Sequence, residues 1–324
     1  MRFNVALAKK YFRESILLWI AVAIGLFIFA WFRVWIVGEV DTARFEQILE
    51  LLPKDWRRFS PVNFEWLISY LGRTSLTLDE PMIMFMTAVW AIVRGSDVVS
   101  GELNRGTMEL VLSQPISRRQ VYIQHALLSV VGAFVLIGLI WLAMAMAVWT
   151  TDIEQSTYPV FKVPFVGTEI PLTGLGAKEE LIPMVEKVQP NQFWPGVANL
   201  FCFNFFLIAF SMMFSSWDRF RWRTLGIVVG VYFIQAMIKF GSVASESFAW
   251  LKYLTYFSLY EPALSIEFVD TNPDKIWHLS RYAEDGSFYW FAPLGFNLIL
   301  IALGLICFWV GARIFHRRDL PAPV

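Results

Sequence analysis

Long apolar runs alternate along this chain with charged or proline-rich stretches. A helix needs about 20 apolar residues to cross a bilayer, and six runs approach or exceed that length. They predict spans at about 15–37, 77–99, 121–149, 195–216, 224–243 and 288–314. The second is the weakest: only Pro81 to Val93 is uniformly apolar, and spanning length is reached by including Arg94 and Asp97. Three longer excursions separate the spans, at about 38–76, 150–194 and 244–287. In the first, Phe45, Ile48, Leu49 and Leu52 predict a short helix ended by Pro53, and Phe64, Leu67, Ile68 and Leu71 another after Pro61. In the second, Pro159, Pro164, Pro171, Pro183 and Pro190 favour short extended pieces and turns. Before the first span, Phe3, Leu7 and Tyr11 fall at helical spacing, with Arg2, Lys9, Lys10 and Arg13 mostly elsewhere. That predicts an amphipathic helix lying in the membrane interface; a frayed basic tail is the alternative. The following run is too long for a signal core, so the first span is expected to stay as an anchor.

One polar stretch, Arg94 to Arg119, is bracketed tightly by apolar sequence on both sides. Within it Gly106 permits a sharp turn, and Thr107 is placed to cap a short helix with its side-chain oxygen. Glu109 falls in that helix's first turn, where the dipole favours a negative charge. Met108, Leu110, Val111 and Leu112 give it an apolar face, and Pro115 stops it. Ser117 and Gln120 have capping-box spacing for the helix that enters the membrane next. The segment therefore reads as a short helix held between turns on the membrane surface.

Gly101-Glu102, Arg105-Gly106-Thr107, Glu109-Leu110, Leu112, Pro115 and Ser117-Arg118 resemble the signature of the ABC type-2 membrane permeases. One departure is His125, where many members carry Lys. A softer similarity covers Trp250 to Pro262, which looks like the outer element preceding the last span in that family. The resemblance implies an all-α integral membrane protein with six transmembrane helices and a short cytoplasmic coupling helix within 94–119. It implies a separate ATPase subunit, which binds the ATP and magnesium, and a second permease copy or sibling. Glu102, Arg105, Gly106, Thr107, Glu109, Leu110, Leu112, Pro115 and Arg118 would form the ATPase-coupling contact, with Glu102, Arg105 and Glu109 as polar fixing points. ATP binding would tilt the spans between inward-open and outward-open arrangements, and export is the favoured direction.

Composition agrees with a membrane protein: 57% of residues are hydrophobic and 17% charged, against about 45–50% and 25% in soluble chains. Thirty Phe and fifteen Trp suit aromatic belts at the two interfaces. The formal net charge is zero, but its distribution is uneven. The ends and short loops carry Arg2, Lys9, Lys10, Arg13, Arg94, Arg105, Arg118, Arg119, Arg219, Arg221, Arg223, Arg313, Arg317 and Arg318. The acids there are fewer: Glu14, Asp97, Glu102, Glu109, Asp218 and Asp319. The positive-inside rule then predicts both termini and the segment 94–119 in the cytoplasm, with the chain in the inner cell membrane.

Site chemistry is sparse. There is no P-loop, no His-Glu-x-x-His and no Gly-x-Ser-x-Gly, so neither nucleotide hydrolysis nor these hydrolase chemistries are expected of this chain, and no cofactor. Cys202 and Cys307 lie inside apolar runs, and the three histidines are far apart. The basic residues hug the membrane, which argues against a nucleic-acid partner. Arg33, near the end of its span, is expected to snorkel to the headgroups. Asn199, Asn204, Gln235, Lys239 and Asn297 are polar within spans and are expected mainly to bond other helices. Gly226 and Gly230 share a face of the fifth span and offer a helix contact. Three functions follow: the permease subunit of an ATP-driven exporter, a mechanical transmitter to an extracytoplasmic protein using the same ATPase machinery, or a membrane scaffold or enzyme with no ATPase.

Overall fold

The computed structural model describes residues 4–40, 42, 45, 49, 51, 59–157, 160–162, 169–171, 178–282, 288–289 and 291–319. Six of its helices are long and apolar enough to cross a membrane, so the fold class is the expected one. The spans are helices Val5–Gly38, Pro81–Ser96 with its continuation to Asn104, Arg118–Thr150, Trp194–Trp217, Arg221–Ala244 and Pro293–Arg317. The sixth starts later than expected. Residues 288–289 instead pair with Arg281 and Tyr282 as a small antiparallel hairpin, and Pro293 opens the helix, the first-turn position that proline tolerates.

The separate interfacial helix expected over residues 1–14 is not separate. Asn4 caps a single unbroken helix that runs on to Gly38, its side chain accepting the Leu7 amide at 3.1 Å. Such a helix is about 50 Å long and overshoots a hydrocarbon core of about 30 Å. The overshoot turns its apolar side to protein: Leu7 and the fully buried Tyr11 pack with Val111 and Val121.

The fourth span is the hub, packing along the sixth and against the second. Its approach to the second is set by small residues. A Cβ on Gly95 would meet Ser211 Cβ at 2.5 Å and the Ile208 carbonyl oxygen at 2.8 Å, so only glycine fits there. Ser211 donates to the Ile92 carbonyl at 2.9 Å and Ser215 to the Ser96 carbonyl at 2.9 Å. The second span then widens into a π-turn over Asp97–Gly101. Ser215 Oγ accepts the Val99 and Ser100 amides of that turn at 3.2 and 3.0 Å.

Between the spans, the second excursion holds the extended pieces its prolines predicted, with Asp152–Thr157 antiparallel to Lys178–Pro183 and Val160–Lys162 to Glu169–Pro171. The helix expected around Phe64 to Leu71 is present as Phe64–Ile68 and Tyr70–Ser75. Of the one expected at 45–52, only residues 45, 49 and 51 are among the described ones, and all three are helical. Polar groups in the spans mostly bond across elements. Asn199 Nδ2 donates to Asn297 Oδ1 at 2.8 Å and to the Leu259 carbonyl, while its Oδ1 accepts the Glu261 amide. Gln235 accepts the Tyr256 amide, Lys239 pairs with Glu261, and Asn204 bonds only the Leu200 carbonyl of its own helix. Arg33 Nε donates to Glu80 Oε1 at 2.8 Å, a carboxylate at the start of the second span.

Candidate functional site at the basic end

At the end of the bundle where the basic residues gather, the second span ends in a Schellman turn. Gly106 adopts φ +69°, its amide bonds the Leu103 carbonyl at 3.1 Å and the Thr107 amide bonds the Glu102 carbonyl at 3.0 Å. This closure needs a left-handed residue after the helix, for which glycine has no steric cost. The chain then forms the short helix Met108–Leu112 and ends it before Pro115. Ser117 caps the third span by accepting the Gln120 amide at 3.2 Å.

Thr107 does stand at the start of the short helix, but its oxygen caps nothing. Its backbone is already helical (φ −90°, ψ −11°), which turns the hydroxyl away from the helix amides. It donates instead to Glu102 Oε2 at 2.5 Å. Glu102, fully buried, takes Lys10 Nζ at 2.5 Å and Arg105 Nη2 at 3.2 Å on its other oxygen. It therefore locks the turn to the first helix and presents nothing outward in this arrangement.

A second anion, Asp97, lies beside it. Arg105 grips both Asp97 oxygens at 2.7 and 3.4 Å, Arg221 of the fifth span approaches at 3.4 Å and Arg94 at 3.5 Å. Arg94 also meets His125 Nε2 at 3.2 Å, and the Tyr11 ring stands edge-on to His125 with centroids 4.8 Å apart. Partial burial disfavours the Arg105 charge, but the hydrogen bond and charge of Asp97, with Glu102, more than offset it and raise its pKa further. Arg105 is a fixed cation at any physiological pH. The first, second, third and fifth spans thus meet in one knot of paired charges.

The short helix sits on this knot. Met108 and Val111 are buried beneath it, Leu112 is half-buried, and Glu109 and Leu110 face out, Leu110 with 68% of its surface exposed. The apolar face is therefore divided between the protein's own core and the surface. Arg118 turns aside: its guanidinium donates to the Phe315 and Arg318 carbonyls and ties the third span to the end of the sixth. Gly226 is exposed and Gly230 half-buried, and a Cβ on either would meet no atom of the described residues within 4 Å. Sequence reasoning missed Lys10, Tyr11, Glu14, Asp97, His125 and Arg221 as members of one cluster. Charges inside or beside apolar runs were its only signal.

The multi-pass helical bundle, with a glycine-closed turn and a short surface helix after its second span, is that of an integral membrane protein. Residues 5–170, about half the chain, match the family model described as ABC-2 family transporter protein, and the chain belongs to that family. The match takes in the first three spans and the whole 94–119 segment. No curated protein matches the chain.

Proposed function

We propose that this chain is the membrane-spanning subunit of an ATP-driven exporter and that its basic end docks a separate ATPase subunit in the cytoplasm. The observation that carries this reading is the short helix Met108–Leu112, which offers Leu110 and Glu109 outward while Glu102, Asp97 and their cations brace it from behind. A push delivered at Leu110 reaches the first, second, third and fifth spans through ion pairs and hydrogen bonds, not through loose side chains. ATP and magnesium belong to the partner. The largely exposed fifth span, with open space beside the Cβ positions of Gly226 and Gly230, supports a second permease copy or sibling against it. The basic bias of the short loops supports cytoplasmic termini, and the chain would then work in the inner membrane of the cell.

Two experiments test this. Cysteines at Asp152 and Asp270 should react with an impermeant thiol reagent in intact cells, and one at Ser117 should not; labelling at Ser117 reverses the orientation. A photo-crosslinking amino acid at Leu110 should capture a protein that binds ATP, while one at the buried Met108 should not. Failure at Leu110 with the chain at normal abundance removes the docking assignment. A mechanical role toward an extracytoplasmic partner is a second reading. The exposed Trp250, Tyr253 and Trp277 at the opposite end favour it, since such aromatics serve protein contacts as well as membrane interfaces.

A further inference from the structure

At the end of the bundle away from the basic knot, a cavity of about 700 Å³ opens between the start of the second span, the fifth span and the segment 257–261. That is within the range of about 300–1,000 Å³ typical of small-molecule sites. Its walls are largely aromatic: Tyr232 and Phe257 stand edge to face with centroids 5.0 Å apart, and Tyr260 closes one side with its hydroxyl on the Leu78 carbonyl.

Charge in the walls is not balanced. Glu261 is paired with Lys239 and Glu80 with Arg33. Asp79 also lines the cavity, yet no basic side chain among the described residues pairs with it; its one hydrogen bond is from the Ala263 amide at 3.1 Å. A carboxylate facing an aromatic cavity is costly without a counter-charge. The ring faces around it attract cations, organic ones most readily because they shed water cheaply. A metal ion is a poor fit, for no group of three His, Cys, Asp or Glu residues among the described ones is placed to hold one. An anion would meet Glu80 and Glu261 with Asp79 beside them, whereas a cation would restore the charge that burial and the neighbouring Glu261 disfavour on Asp79.

We propose that this cavity binds a hydrophobic organic cation, with Asp79 as its counter-charge and Tyr232, Phe257 and Tyr260 as its aromatic walls. The use of the site in export rests on the permease reading; the binding itself does not. The test is equilibrium dialysis of tetraphenylphosphonium against the purified full chain in detergent, with tetraphenylborate as a probe of the same shape and opposite charge. Wild type should bind the cation saturably and the borate at least about tenfold more weakly. Asp79→Asn keeps an acceptor for the Ala263 amide but removes the charge, and should weaken cation binding at least about tenfold. Lys239→Gln, which frees Glu261, should tighten it. Equal binding of the two probes, or wild-type cation affinity in folded Asp79→Asn, overturns the proposal. So does unchanged affinity in Lys239→Gln, which is informative even where Asp79→Asn fails to fold. Neither ATP nor an ATPase enters the assay, so a negative result leaves the permease reading standing. Failure to find an ATPase likewise leaves the site standing.

Discussion

The two ends of the second span both carry charge among apolar neighbours, and they use it in opposite ways. At the basic end Asp97 and Glu102 are drawn into contact with Lys10, Arg94, Arg105 and Arg221, and Ser215 accepts two amides of the π-turn. At the other end Asp79 faces a cavity that is also lined by the paired Lys239 and Glu261 and by Glu80, which Arg33 holds from outside the lining. A filled, cross-linked end suits transmission of force, because packed and paired groups shift together. A hollow end with an open charge suits selection of a ligand. One helix carries both, with a π-turn beside the knot, a type of irregularity often found at functional sites.

Breaking the filled end should cost most. Gly106→Pro imposes φ near −65° on a residue at +69° and removes the amide bonded to Leu103. We expect a loss of about 3 kcal/mol or more, read as a lower midpoint of thermal unfolding in detergent, together with loss of ATPase association. Glu102→Gln removes the charge that holds Lys10, Arg105 and Thr107 and should cost roughly 2 kcal/mol. A double-mutant cycle of Glu102→Gln with Lys10→Met should then show a coupling of about 1 kcal/mol; strict additivity would mean that the first helix is not braced to the turn. Smaller still is the effect expected of Gly226→Leu with Gly230→Leu. A side chain at either position would point into open space among the described residues, so unfolding should shift by under about 0.5 kcal/mol while cross-linking of two copies falls. Unchanged cross-linking would move the subunit contact elsewhere.

Much of the filled end was legible in sequence because its parts are local. Gly106, Pro115 and Ser117 each act within a few residues of chain, and turn and cap rules predict them well. Thr107 shows where local rules stop. Its position at the head of the helix was readable, but its partner, Glu102, had a stronger claim on the hydroxyl than the helix amides. The knot itself was not legible, because Lys10, Asp97, His125 and Arg221 are brought together only by the packing of four spans. The same holds for Arg33, whose partner Glu80 is 47 positions away. The cavity around Asp79 was invisible for that reason too: its walls come from the start of the second span, the fifth span and the 257–261 segment, which only the fold brings together.

Leu110→Asp tests the central claim most directly. Leu110 is exposed and braced from behind by Met108 and Val111, so the substitution should leave the chain's own unfolding within about 0.5 kcal/mol of wild type. The account predicts that the variant, at normal membrane abundance, no longer co-purifies with an ATPase and no longer supports transport-linked ATP hydrolysis. Wild-type levels of both in the folded variant would show that the short helix after the second span is not where the two subunits meet.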